Sequence, residues 1–146
     1  METGLLHLHS VLRWIILLLL VVCIFQALSK SSGLKKASLW LFISVNLMFL
    51  IGLYQLIAGR YGILKGLPEG VDLMKDKFYR FFWIEHPLFM IIAIALISIA
   101  RRKAKALNYS AVLWLLLVAL LMILVAVPWP FRDIVGEGRH WFPGMK

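Results

Sequence analysis

Four histidines and one acidic residue within an apolar segment are the side chains of this 146-residue chain that are best suited to chemistry. His7 and His9 precede the first long apolar segment, His86 lies within the third beside Glu85, and His140 is close to the C-terminus. Imidazole is the commonest metal ligand in proteins. A carboxyl group within an apolar segment is costly unless it is paired, so this set of residues indicates a site.

The residues leave several interpretations open, of which one is structural and one involves a haem. In the first, histidines and arginines near helix ends extend toward lipid head groups, and Glu85 pairs with Arg13 or Arg132. In the second, a b-type haem lies between two helices, since such a haem needs two facing imidazoles from different helices and often has arginines near its propionates. His9 and His86 would then be the ligands, with Arg13 or Arg132 beside the propionates.

A third interpretation is a divalent metal site. Histidine and carboxylate side chains are suitable ligands for such an ion. The His-x-His spacing is weak evidence for it, because residues two apart on a helix point in different directions. The candidate ligands are His7, His140 and Glu85, with His9, His86 and Asp133 as further possibilities.

The elements that must position these residues are four long apolar segments. Hydrophobic residues make up 62% of the chain and the mean hydropathy is +0.90, well above the level of a soluble domain. Each segment approaches the ~20 residues that cross a bilayer as a helix. We therefore predict an all-α integral membrane protein, a single transmembrane domain over residues 1–146 folded as an up-down-up-down bundle. The predicted helices are 11–28, 39–58, 78–100 and 111–127, and residues 128–146 form a tail on the outer face.

Charge predicts the orientation of this bundle. The two short loops carry seven basic residues and no acid, whereas all seven acids fall on the other side. Lys and Arg in short loops mark the cytoplasmic side, so both termini are predicted outside the cytoplasm. Helices one and three then run in the same direction, and all four histidines fall at the outer end. The basic residues of the short loops are Lys30, Lys35, Lys36, Arg101, Arg102, Lys103 and Lys105.

Other features exclude some classes of function. The net charge of +9 comes without a soluble basic surface carrying stacking aromatics, so we do not expect nucleic-acid binding. The lone Cys23 cannot form a disulfide within the chain, and its apolar setting indicates a buried hydrophobe. Because no nucleophile motif such as G-x-S-x-G is present, an electron carrier or a subunit is favoured over a stand-alone enzyme.

Prolines predict two local features. Pro87 removes an amide and clashes with the carbonyl of Trp83, which predicts a bend in helix three. Pro128 and Pro130 end helix four abruptly. The aromatic tail that follows is expected to cover the polar cluster at the outer end.

Three motifs resemble a family of small bacterial four-helix membrane proteins labelled cytochrome b-like. They are His-Leu-His-Ser-x-Leu-Arg-Trp at residues 7–14, Ile-Glu-His-Pro at residues 84–87, and Pro-Trp-Pro-Phe-Arg at residues 128–132 with a closing Trp-Phe. The resemblance implies a haem b protein of a bacterial inner membrane, with His9 and His86 as leading ligands. With such a haem, the hypothesis for function is electron transfer between a quinone and a partner on the outer face, which could be a redox protein or a larger membrane complex. Members of the family often carry a histidine within helix two, where this chain has Asn46.

The alternative function is a non-redox membrane subunit. In that case the outer His/Arg/Glu cluster is structural or binds a divalent metal. A transporter is less favoured, because no pair of Gly/Pro-broken helices marks a site at the midplane.

Overall fold

The computed structural model describes residues 2–136 and residue 141, and long helices dominate them. Three further elements are short. They are a 3₁₀ turn at Ile63–Lys65, a four-residue α-helix at Lys77–Arg80 and a π-helical turn at Phe81–Glu85. The α-helices are α1 (Glu2–Leu28), α2 (Leu34–Ala58), α3 (Lys77–Arg80), α4 (His86–Lys105) and α5 (Tyr109–Ala126).

Four of these helical stretches are long and apolar enough to cross a membrane, as the sequence predicted for the part of the chain that is described. The third stretch, Lys77–Lys105, comprises α3, the π turn and α4. The helices extend beyond the predicted boundaries, most clearly at the start of α1 and at the basic end of α4. The apolar pattern marks the span suited to hydrocarbon. At the end of α4, lysine and arginine are good helix formers and let the helix continue past this span.

The short loops after α1 and α4 use the same helix-ending motif. Lys30 and Leu107 adopt left-handed backbone conformations, with φ of 52° and 53°. The next amide in each case donates across the end of the helix, from Ser31 N to Gln26 O at 2.9 Å and from Asn108 N to Lys103 O at 3.0 Å. These bonds satisfy terminal carbonyls and turn the chain sharply, which explains why both connections are short.

The four long stretches pack as a ring in which α1 contacts α2 and α5, and α4 also contacts α2 and α5. Along each helix, buried residues recur at alternating intervals of three and four positions. This spacing places them along one face of the helix, here called its seam. On α4 this seam is mostly alanine, which allows the backbones to approach closely. The seams are Ile16, Leu20, Cys23 and Ala27 on α1; Leu34, Ser38, Leu41 and Val45 on α2; Ala93, Ile97, Ala100 and Ala104 on α4; and Val112, Leu116, Ala119, Ile123 and Ala126 on α5.

The outer surface of the ring is also apolar. Leu18, Phe25 and Leu121 are 64%, 71% and 61% exposed, although each belongs to a long apolar helix. Exposed apolar surface of this extent is typical of a helix that faces lipid.

Contacts between helices define two ends of the ring. At one end, the ring of His9 on α1 approaches that of His86 on α4. At the other end, Arg101 near the end of α4 donates to the carbonyl of Lys35 near the start of α2 at 2.8 Å. The predicted gathering of His9 and His86 at one end is therefore observed.

The alanine seam yields a matched test of packing. Ala93 is 1% exposed, whereas Ala95 on the same helix is exposed. We expect Ala93→Leu to lower the free energy of unfolding by about 1–3 kcal/mol through overpacking, and Ala95→Leu to leave it nearly unchanged. Equilibrium unfolding in mixed detergent micelles measures both, and equal effects would contradict the observed seam.

Candidate histidine site

The site is organised around the last turn of α5, where two prolines remove hydrogen-bond donors. In a continuing helix, the amide of residue 128 would donate to the carbonyl of Leu124 and that of residue 130 to the carbonyl of Ala126. Both positions are proline, which has no amide hydrogen. These two carbonyls must therefore find donors elsewhere.

Side chains supply the missing donors. The indole Nε1 of Trp129 donates to Leu124 O at 2.8 Å, and Nδ1 of His86 lies 2.8 Å from Ala126 O. Because a carbonyl only accepts, Nδ1 of His86 must carry the proton. In the neutral imidazole the lone pair is then on Nε2, the arrangement in which a histidine binds a metal through Nε2 while a carbonyl orients the ring.

Arg132 completes the end of α5. Its Nη1 donates to Val125 O at 2.8 Å and to Val127 O at 3.3 Å. The guanidinium carbon lies 4.9 Å from the ring centre of Phe81, and the ring of Phe81 is 5.9 Å from that of His86. A cationic group is thus held one aromatic ring away from His86.

The π turn Phe81–Glu85 brings the third long stretch into the site. The amide of His86 donates to the carbonyl of Phe81, five residues earlier. Pro87 follows directly and cannot donate, so the wider turn lies where the sequence predicted a local disturbance of the helix.

Glu85 does not pair as the sequence analysis expected. Its Oε1 accepts from Arg80 Nε at 2.8 Å, and Arg80 also donates to Met74 O. The expectation that Arg13 or Arg132 is its partner is therefore wrong. Arg80 is five residues earlier in the same stretch, and the extra residue of the π turn changes which side chains share a face.

His9 and His86 face each other from opposite corners of the ring of helices. Their ring centres are 6.4 Å apart, with an angle of 54° between the planes, and both side chains are half-buried. Two imidazoles that bind one metal ion from opposite sides have ring centres roughly 6 Å apart, because each metal–nitrogen bond is about 2.0–2.1 Å long. The observed separation is therefore compatible with two histidines that would hold one metal-bearing group between them.

Gly52 of α2 forms the wall beside His9. A Cβ atom at position 52 would lie 3.4 Å from Cε1 of His9, so glycine leaves space there that a larger residue would fill. One turn later, Gln55 has a buried Nε2 with no hydrogen-bond partner among the described residues, and the same holds for Nε of Arg13. Buried unsatisfied donors of this kind suit the carboxylates of a bound group.

The described part of the tail returns to α1. Nη2 of Arg13 and Nε1 of Trp14 both donate to the carbonyl of Trp141, at 3.0 and 2.9 Å. The guanidinium of Arg13 also lies 5.3 and 5.6 Å from the rings of Trp14 and Trp129. Arg13 therefore joins the tail to the helix that carries His9, one turn away from that histidine.

The described residues do not provide a cluster of ligands for the divalent metal site considered above. His7 is exposed, and Glu85 is engaged with Arg80. No group of three or more His, Cys, Asp or Glu side chains within residues 2–136 and 141 could hold a metal ion. His140 lies outside the described residues.

An open cleft of about 370 Å³ adjoins the site. It reaches Phe81, which contacts His86, and it carries charges of both signs. Its lining residues are Lys77, Arg80, Phe81, Glu85, Phe131, Arg132, Asp133 and Val135.

Three components of this site were missed by sequence reasoning. Nothing in the sequence indicated Arg80 as the partner of Glu85, since the π turn that pairs them is not evident from the periodicity of apolar residues. The sequence did contain a signal for Gly52, because a glycine within an apolar helix often marks a place where a neighbouring group approaches the backbone closely. The partner of His86 had the clearest signal, since Pro128 and Pro130 leave two predictable carbonyls without amide donors.

Comparison with protein-family models, with curated proteins and with solved structures finds no match for this chain. The functional argument therefore depends on the residues and contacts described above.

The bond between Trp14 and the tail can be tested directly. Trp14→Phe keeps the ring but removes the donor to Trp141 O, and we expect it to lower the free energy of unfolding by about 0.5–1.5 kcal/mol. Trp114→Phe is the matched control, because Trp114 is 65% exposed. Detergent unfolding curves of both variants make the measurement, and a Trp14→Phe protein as stable as the control would show that this contact contributes nothing.

Proposed function

We propose that this chain is a membrane protein that binds a b-type haem through His9 and His86 and takes part in electron transfer. The observation that carries the proposal is the facing pair of imidazoles, 6.4 Å apart, on two helices that lie across the ring from each other. It is supported by the Ala126 carbonyl, which orients His86 so that Nε2 is the ligating nitrogen.

Each residue of the site has a role in this proposal. His9 and His86 would hold the haem iron, and the carbonyl of Ala126 keeps His86 in one tautomer. Gly52 leaves space beside His9. Arg13 and Arg132 supply positive charge for the propionates. When bound, a b-type haem supplies a reversible one-electron couple.

The proposal includes a membrane arrangement. The four apolar stretches cross a bacterial inner membrane in an up-down-up-down order, with both termini on the non-cytoplasmic side. The basic, acid-free loops support this orientation through the positive-inside rule. The histidine site then lies near the outer face.

A site at one face implies a partner. From His9 to the end of α1 at Leu28 is about 28 Å along the axis at 1.5 Å per residue, so a single haem beside His9 does not connect the two faces. We therefore propose exchange of electrons near the outer face, between a quinone and a redox partner or larger membrane complex. The cleft that reaches Phe81 gives such a partner an approach toward His86.

An absorption spectrum tests haem binding. Protein purified in mild detergent from haem-replete cells should have a Soret band, and dithionite should produce the reduced α-band. His9→Ala and His86→Ala should each abolish this spectrum, because either change removes one of the two proposed haem ligands. His7→Ala is the matched control, since His7 is exposed and only two residues from His9; it should keep the spectrum.

The result that would overturn the proposal is a colourless wild-type preparation that is monodisperse and helical. Such a protein would instead be a non-redox membrane subunit whose outer cluster is structural. Size-exclusion chromatography and circular dichroism of each alanine variant separate loss of a ligand from loss of the fold.

The space beside His9 provides a graded test. Gly52→Ala adds one methyl group at 3.4 Å from Cε1 of His9, an ordinary contact distance, and we expect haem to be retained. Gly52→Leu would displace the imidazole, and we expect haem content to fall at least tenfold, as when residues supporting a metal ligand are changed. Pyridine haemochrome assays quantify both, and an unchanged haem content in a folded Gly52→Leu protein would exclude the proposed role of Gly52.

A further inference from the structure

A second cleft opens at the end of the ring opposite the histidine site. It has a volume of about 440 Å³, and its rim carries Arg101, Arg102 and Lys105 of α4. Nη1 of Arg101 donates to the carbonyl of Lys35 at 2.8 Å and to Oγ of Ser38 at 3.2 Å. These bonds between α4 and α2 hold one guanidinium at the rim, while Arg102 and Lys105 are exposed.

Below the basic rim, the cleft becomes apolar and then weakly polar. Leu39 and Phe42 of α2 line its wall, and Asn46 and Ser98 lie deeper. Asn46 is about 10 Å beyond Leu39 along the helix, at 1.5 Å per residue. Both deeper residues donate to carbonyls of their own helices, from Nδ2 of Asn46 to Phe42 O at 2.7 Å and from Oγ of Ser98 to Ile94 O at 2.8 Å.

The charge around this cleft is of one sign. Residues 29–38 and 101–110, which comprise the two short connections and the adjoining helix ends, contain seven basic residues and no acid. No carboxylate is among the residues that line the cleft. Its chemistry therefore suits a molecule with an anionic group at one end and a hydrocarbon chain at the other.

We propose that this cleft binds one anionic phospholipid, with its phosphate at Arg101, Arg102 and Lys105 and an acyl chain along Leu39 and Phe42. Guanidinium and ammonium groups bind phosphate through charge-assisted hydrogen bonds. A free phosphate ion would use the rim but not the apolar wall. The inference rests on the membrane insertion proposed above and does not depend on haem.

Native mass spectrometry of the full chain in detergent tests this assignment. The probes are phosphatidylglycerol and phosphatidylcholine with identical acyl chains, and inorganic phosphate as a competitor. We expect phosphatidylglycerol to bind in one tight step, at least tenfold more strongly than phosphatidylcholine. The variant Arg102→Gln/Lys105→Gln should weaken its binding roughly 10- to 30-fold, as expected for two cations near an anionic head group.

The matched control is Lys36→Gln/Lys103→Gln, which removes the same charge from α2 and α4 at residues that do not line the cleft. We expect it to change binding by less than twofold. Equal weakening by the two double variants would overturn the site in favour of general surface attraction. Displacement of the lipid by millimolar inorganic phosphate, or equal binding of both lipids, would also overturn it. All these variants should keep the haem spectrum of the wild type, because the cleft is at the other end from the histidine site. A colourless wild-type protein that still binds phosphatidylglycerol would refute the haem proposal and leave the lipid site standing.

Discussion

The need to satisfy the carbonyls at the end of α5 is the constraint on which the histidine site depends. Pro128 and Pro130 remove the amides that would have bonded to the carbonyls of Leu124 and Ala126. In apolar surroundings an unsatisfied carbonyl is costly, so side chains must reach it. His86 is one of those side chains, and the bond it makes sets both the direction of its ring and the position of its proton. The site therefore follows from the way the helix ends.

Side-chain hydrogen bonds to backbone carbonyls also hold the tail against the helices. Trp129 and Arg132 turn back from the tail to bond α5, while Arg13 and Trp14 bond the carbonyl of Trp141. Each bond satisfies a backbone carbonyl. Those of Trp129 and Arg132 are local, whereas those of Arg13 and Trp14 connect α1 to a residue more than 120 positions later in the chain. Between these bonds, the rings of Trp14, Trp129 and Trp141 lie 5.8 to 6.5 Å from one another, measured between ring centres. That the tail covers the polar cluster stays a prediction.

The two ends of the molecule differ in chemistry, and the two proposals follow that difference. One end has half-buried imidazoles, arginines and acids, with several donors directed at carbonyls. The other has exposed lysines and arginines and no acid in the loops. Two facing imidazoles suit the proposed metal-bearing cofactor, whereas an acid-free basic rim above an apolar wall suits the proposed anionic lipid.

The sequence by itself determined the number of long helices, their approximate extents and the collection of His9 and His86 at one end, because apolar length and loop charge are local properties. It did not identify which face of each helix is inside, since the exposed side of each helix is as apolar as the seam. Nor did it identify Arg80 as the partner of Glu85 or Gly52 as the neighbour of His9. The bond of His86 to Ala126 joins residues 40 apart in the chain. Only the packing of the helices decides such pairs. Contact across the ring depends on how far each helix is rotated about its own axis, and a uniformly hydrophobic sequence does not encode that rotation.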